Sequence, residues 1–450
     1  MTRLLGNHVP PEMLALWLLE LAMSFCLAYG LLATGYSPAP QHPALNHALV
    51  LALTAGLTAA AAGLYRPEVF RRTQSMLANT ALGGLAAFAA AWGVSWVFGL
   101  DVDRLLGHDA LWPLKVVGTW VAALCATRLL FLAAVRSNLF VRRVAVLGPP
   151  ASVAGTVAAV RAGHQGFIEI SDALGTADGC AAGGGPRALR EAGIRDVVAS
   201  RTAYQALGLP LLAAYRQAGV AVESEAQFWE RCLKRVNVEQ LDTAWVAALD
   251  AKPASRLEAV MNRAGDICIS LGLLLFTLPL MLVVALLVRL DSPGPVFYRQ
   301  ERVGLGGKPF TLFKFRSMRP DAEARGPAWA KQRDPRVTRV GSFIRRTRID
   351  ELPQLLNILH GEMSFIGPRP ERPHFVEQLA EVIPFYRERA RVKPGLTGWA
   401  QVSFPYGASV EDARSKLSYD LYYVKHRSPL LDLAILFATV RVILFQEGSR

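Results

Sequence analysis

The chain has 450 residues, 52% of them hydrophobic and 19% charged, with a net charge of +13. That length holds two or three domains with real cores, and the apolar balance excludes an ordinary soluble enzyme. The positive charge calls for anionic partners. No zinc-finger spacing, RNA-binding aromatic motif or helix-turn-helix pattern accompanies it, so nucleic acid is not among them; five scattered cysteines without a CxxC pair exclude a disulfide framework and a zinc site.

Four apolar runs open the chain, at Met13 to Thr34, His47 to Tyr65, Met76 to Leu100 and Leu111 to Val135. Each is long enough to cross a bilayer as a helix, and the first is too long for a signal peptide. Arg3 precedes the first run; Arg66, Arg71 and Arg72 follow the second; Arg136, Arg142 and Arg143 follow the fourth. The intervening loops carry one Arg and the acids Asp101, Asp103 and Asp109. The positive-inside rule therefore puts both ends of the bundle in the cytoplasm. Glu20, Lys115 and Arg128 lie within the spans. Lys115 can snorkel, and Glu20 and Arg128 read as packing or oligomer contacts whose roles stay open.

Strands are expected at Arg143 to Gly148, Phe167 to Ile170, Asp196 to Ala199 and Val220 to Glu223, with helical patterns between them. That alternation gives a Rossmann-like parallel α/β domain over 139–250, following a bundle over 1–138. The turn after the first strand is Gly148-Pro149-Pro150, where a dinucleotide site needs glycines and free amides. No dinucleotide ligand is expected there, and Gly175 to Pro186 reads as a loop.

A fifth apolar run lies between Asp266 and Arg289, with Pro279 inside it. Arg256 and Arg263 precede it; Arg289, Arg299, Arg302, Lys308 and Lys314 follow. Both flanks want the cytoplasm, and Pro279 removes a backbone donor mid-run. The expectation is a re-entrant helix over 266–289 that bends and leaves by the leaflet it entered.

Arg345, Arg346 and Arg348 precede the adjacent carboxylates Asp350 and Glu351. A carboxylate pair offers a nucleophile, an acid or base, or ligands for a hard cation. The arginines offer charge-assisted bonds to phosphate. The same residues also fit a helix start, with Asp350 as cap and Pro353 in the first turn.

Motifs follow in series: Asp291 to Phe297, Arg302 to Phe310, Phe313 to Met318, the Asp350-Glu351 segment, Met363 to Pro370 and Lys393 to Trp399. In this order they closely resemble the bacterial sugar transferase family, from about Asn262 to the C-terminus. The spans and α/β domain look like its long form, and Tyr406 to Tyr423 resembles an exopolysaccharide subgroup associated with exosortase systems. The resemblance implies a mostly helical α/β catalytic domain over 256–450 in the bacterial inner membrane, facing the cytoplasm. It implies transfer of a hexose 1-phosphate from a UDP-sugar to polyprenyl phosphate, with Asp350 as nucleophile, Glu351 as its partner, magnesium at the pair and UMP leaving. Lys314, Arg316, Arg346 and Arg369 are the candidates for diphosphate contacts. Pro279 matches the family's helix-breaking proline, although Leu278 stands where many members have Ser. Trp399 reads as interface packing or a membrane anchor, and Leu430 to Phe445 as an interfacial helix. A one-step glycosyltransferase and a membrane scaffold with an inactive transferase domain are the competing readings. The spans and middle domain can support a homodimer. Family precedent favours UDP-glucose or UDP-galactose, but no residue names the sugar.

Overall fold

A computed structural model describes residues 2–4, 7–9, 11–35, 42–61, 64–65, 70, 73–97, 112–137, 139–163, 168–174, 185–250, 256–319, 322, 334–404, 407 and 409–445. Arg66, Arg71 and Arg72, the acidic loop at 101–109, the Gly-rich stretch 175–184 and Tyr406 lie outside these residues. Among the described residues the protein is mostly helical with small sheets, and it divides into two units, Met1–Leu233 and Lys234–Arg450.

In the first unit, α1 (Pro11–Gly35), α2 (His42–Ala61), α3 (Thr73–Val97) and α4 (Trp112–Arg136) take up the four expected runs. Three of them hold stretches long and apolar enough to cross a membrane; the apolar stretch of α2, Leu45–Ala60, is shorter. Glu20 and Arg128 are buried and meet each other within this unit, Arg128 Nε and Nη2 each 2.9 Å from a Glu20 oxygen. Thr80 accepts from Arg128, while Tyr65 and Thr127 donate to Glu20. The pair is an internal brace between α1 and α4, so neither side chain is left to face an oligomer partner.

After the bundle, β1 (Arg142–Leu147), β2 (Ile168–Leu174), β3 (Asp196–Ala199) and β4 (Ala221–Ser224) form one parallel sheet in the order β2-β1-β3-β4. Crossovers include α5 (Pro150–Gly163), α6 (Gly185–Glu191), α7 (Arg201–Ala206) and α8 (Gly208–Gln217). Val144 to Leu147 and Val197 to Ala199 are buried, as the continuous apolar runs of a sheet covered on both faces require. Pro150 opens α5, where a missing amide costs nothing.

The second unit begins earlier than the sequence suggests. Val236 and Val238 belong to the same apolar cluster as Leu379, Trp399 and Leu421, with Trp245 of α9 (Thr243–Asp250) packed against it. Then comes α10 (Arg256–Asp291), 36 residues and unbroken across Pro279. Thr277 Oγ1 donates to the Leu273 carbonyl at 2.7 Å one turn before the ring. Met281, Val284 and Val288 pack with Phe315 and Ile344, while Leu271, Leu275, Phe276, Leu282 and Leu286 are exposed.

An antiparallel hairpin, β5 (Phe297–Val303) with β6 (Pro309–Phe315), follows α10. After it come α11 (Arg339–Arg346), α12 (Gln354–His360), β7 (Ser364–Ile366), α13 (Pro373–Val382) and β8 (Gly395–Thr397), the last parallel to β7. The chain closes with α14 (Trp399–Ser403), α15 (Val410–His426) and α16 (Pro429–Phe445). Trp399 is buried against Tyr422 and donates to the Lys234 carbonyl at 2.8 Å, so it is a core residue and no membrane anchor. Leu431, Ile435 and Ala438 bury one side of α16.

Both ends of α10 are pinned to this unit. Near its start, Arg263 donates to the carbonyls of Ile358 and Leu359 at 2.6 Å each, at the end of α12, where the Ile358 carbonyl also accepts from Gly361 N. Asp266 accepts from Ser364 Oγ at 3.0 Å and Phe365 N at 2.9 Å. At its finish, Asp291 accepts from Val340 N at 3.0 Å. Arg316 donates there to the carbonyls of Val288, Ser292 and Pro293.

Candidate active site

Asp350 and Glu351 lie in a 3-10 turn, Ile349–Glu351, between α11 and α12. Arg348 enters that turn in the left-handed region, at φ 60°. A non-glycine residue there is strained by roughly 1 kcal/mol or more. The kink lets two successive carboxylates be buried side by side. The cap of α12 is Pro353, without a side-chain bond, so Asp350 is not its N-cap.

The two carboxylates have different surroundings. Glu351 Oε1 meets Arg369 Nη2 at 2.7 Å, Lys314 Nζ at 3.2 Å and Arg348 Nη1 at 3.6 Å. Burial alone would raise the Glu351 carboxyl, but Arg369, Lys314 and Arg348 together hold it well below the usual carboxylate range. Asp350 is pushed the other way, first by burial and then by the charge of Glu351. Its buried Oδ1 has no hydrogen-bond partner. The pair thus holds one clamped anion and one carboxylate with an open oxygen.

Lys314 comes to the pair from β6, opposite Tyr298 in the hairpin register. Burial lowers its ammonium and Glu351 counters that. Asn357, fully buried on α12, sets the distance between strand and turn: its Nδ2 donates to the Thr311 carbonyl at 2.7 Å, and its Oδ1 accepts from Phe313 N at 3.1 Å.

Arg369 stands on the turn Gly367-Pro368-Arg369-Pro370 after β7. Four successive carbonyls of this segment are occupied. Pro368 O accepts from Gly395 N, Arg369 O from Arg389 Nη2, Pro370 O from Arg302 Nη1 and Glu371 O from Val303 N, each at 2.9 Å. Gly367 has no room for a side chain, since a Cβ would sit 2.3 Å from the Lys393 carbonyl.

Lys314 and Arg369 are therefore gathered with Asp350 and Glu351. Arg316 is not: its guanidinium closes the end of α10, and its charged neighbours are Arg289 and Asp291. That arrangement corrects the expectation of a diphosphate contact. Arg346 is exposed on the last turn of α11, whereas Arg345 is among the cations whose field acts on Asp350. Of the three arginines of the basic segment, Arg348 at the kink reaches Glu351, while Arg345 and Arg346 lie on α11 before it. Among the described residues no group of three or more His, Cys, Asp or Glu could hold a metal. Magnesium, however, is commonly held by one or two carboxylates plus substrate phosphates, and the open Asp350 Oδ1 beside Glu351 fits that mode.

Comparison with known proteins points to the same part of the chain. The bacterial sugar transferase family profile matches residues 257–446. The chain is 45% identical over 224 residues to the UDP-N-acetylgalactosamine-undecaprenyl-phosphate N-acetylgalactosaminephosphotransferase of Aeromonas hydrophila, covering 50% of this chain and 52% of that one. It is 42% identical over 205 residues to the UDP-glucose:undecaprenyl-phosphate glucose-1-phosphate transferase of Escherichia coli K12, covering 45% and 44%. With the exopolysaccharide production protein PSS of Rhizobium leguminosarum it shares 44% identity over 193 residues, covering 41% of this chain and 95% of that one. The chain spans about half the length of the first two relatives. On these matches, the chain belongs to the bacterial sugar transferase family.

Proposed function

We propose that this protein transfers a hexose 1-phosphate from a UDP-sugar to a polyprenyl phosphate in two displacements, initiating exopolysaccharide synthesis. The observation that carries the reading is the asymmetry of the pair: Glu351 is clamped by three cations, and Asp350 keeps a buried, unpartnered oxygen. An Asp350 oxygen attacks the β-phosphorus of the UDP-sugar. The bond from that phosphorus to the bridging oxygen breaks, and UMP leaves with the electron pair. A polyprenyl phosphate oxygen then attacks the phosphorus of the acyl phosphate, giving a polyprenyl diphosphate sugar and returning the Asp350 carboxylate. Dividing the exchange this way lets two bulky anionic substrates use one site in turn.

Lys314, Arg369 and Arg348 hold Glu351 before the diphosphate arrives and face the place where its charge would sit. Asp350 and Glu351 would hold a magnesium ion together with substrate phosphates; when bound, it supplies neutralisation of the diphosphate charge. The helix runs unbroken through Pro279, where the sequence predicts a bend, and the pinning of both its ends supports a helix whose two ends lie on one side of the bilayer, because one folded unit cannot stand on both sides. With the positive flanks, this favours a catalytic unit on the cytoplasmic face of the inner membrane. The relatives' names include both a glucose 1-phosphate and an N-acetylgalactosamine phosphate transferase, so either sugar class belongs in the assay.

The test uses purified protein, polyprenyl phosphate and a panel of UDP-sugars labelled at the β-phosphate. Label should enter the lipid as UMP is released, and Asp350→Asn should lower the rate on the order of a thousandfold or more. Release of UDP instead, or an Asp350→Asn variant with full activity, rejects the proposal.

A further inference from the structure

Arg389 and Asp420 are the most completely buried ion pair near the site that the proposed chemistry does not use. Arg389 lies in the 3-10 turn Tyr386–Arg391, and Asp420 lies midway along α15. Their side chains are 11% and 2% exposed. Arg389 Nη2 donates to Asp420 Oδ2 at 2.7 Å and to the Arg369 carbonyl at 2.9 Å, while Nη1 donates to Tyr386 Oη at 3.0 Å. Burial pushes the Tyr386 phenol up to about 12, so it serves Arg389 as a neutral acceptor. With both terminal nitrogens committed inside the protein, Arg389 is not a phosphate ligand. It bonds instead to the backbone of the residue whose guanidinium reaches Glu351.

We propose that Arg389 and Asp420 are positioning residues, which fix the Arg369 peptide and thereby aim its guanidinium at Glu351 and the donor diphosphate. This rests on the transfer reading above. Geometry supports it in two ways. The carbonyls of Pro368, Pro370 and Glu371 are tied by other donors, and Arg389 holds the carbonyl of Arg369 itself. Asp420 compensates the buried Arg389, which would otherwise be drawn toward water and away from that carbonyl. A lysine at 389 keeps the charge but lacks the fork, whose one arm bonds Tyr386 while the other serves Asp420 and the carbonyl.

A double-mutant cycle on UMP release by the full-length protein tests this. Arg389→Lys and Asp420→Asn should each lower kcat by about 10- to 100-fold, the scale of a small misplacement of a site group. In an Arg369→Ala background the same changes should have almost no further effect, within about threefold. Independent, multiplicative losses in the two backgrounds overturn the proposal, as does an Arg369→Ala variant with native kcat. Thermal melting accompanies each variant: if both Arg389→Lys and Asp420→Asn fail to fold, the pair is a core element and the positioning role is rejected. A native protein that releases no UMP from any UDP-sugar instead sinks the transfer reading, and this proposal with it.

Discussion

Asp350 and Glu351 are chemically near-identical neighbours, and the fold separates them by what surrounds each. Burial and the charge of Glu351 both raise Asp350, and Lys314, Arg369 and Arg345 only partly oppose them. A nucleophilic Asp350 must be ionised, so activity is present above its pKa and lost as pH falls through it. The acid limb of kcat/KM is therefore expected above the ordinary carboxylate range. Glu351→Gln removes the like charge and leaves its cations facing Asp350, so the limb should move to lower pH even as turnover drops. A pH–rate series on both proteins checks this, and a limb that stays put or rises in Glu351→Gln defeats the assignment. The carboxylates were legible in the sequence because their residue types carry the chemistry. Which arginines join them was not. Arg345, Arg346 and Arg348 look alike in sequence, and their places on the last turn of α11 and in the left-handed turn after it tell them apart.

At the scale of elements, Arg316 teaches the clearest lesson. It directly follows β6, two residues after Lys314, and reads from sequence as the same kind of phosphate ligand. The two part because Asn357 holds β6 against α12 at one point, while the end of α10 meets Arg316 at another. Nothing local in the sequence reveals that the last turn of α10 and the two residues after it offer three carbonyls to this side chain. Arg316→Ala should cost about 1.5–3 kcal/mol, the range for hydrogen bonds from a charged group. The expected signature is a lowered melting temperature with an unchanged KM for the UDP-sugar. A raised KM at native stability restores the phosphate role. The apolar helices and the strands β1 to β4 were readable because hydropathy and alternation are local signals. Arg389 and Asp420 are not legible in sequence because the partners of Arg389 lie 20 and 31 residues away.

On the scale of the whole molecule, each unit has a polar device inside an apolar setting. In the first, the Glu20–Arg128 pair braces α1 against α4. Removing one partner strands a buried charge, so Arg128→Leu should destabilise by about 3–5 kcal/mol, and Glu20→Gln added to it should recover part of the loss. Unfolding in detergent measures both; equal stability of the single and double variants contradicts the brace. In the second unit, exposed Leu257 and Leu290 mark the two ends of α10. Leu257→Cys and Leu290→Cys in a cysteine-free background should both resist an impermeant maleimide on intact spheroplasts and react once the membrane is opened. Labelling of position 290 alone from outside means that the helix spans.

The pins on α10 also impose an order of events on a chain made from its N-terminus. Asp266 bonds to Phe365, 99 residues later, which at about 5–20 residues per second leaves the ribosome roughly 5–20 s afterwards. Arg263 waits as long for α12, and the far end of the helix waits for Arg316. Until Arg316 is made, the helix has its apolar surface and flanking arginines but none of its pins. Its placement is therefore decided by hydropathy and charge while the catalytic unit is still unmade, and the later bonds act as a latch on a choice already taken. A mutation at Asp266 or Arg316 would loosen the latch, whereas one that alters the flanking arginines would change the choice.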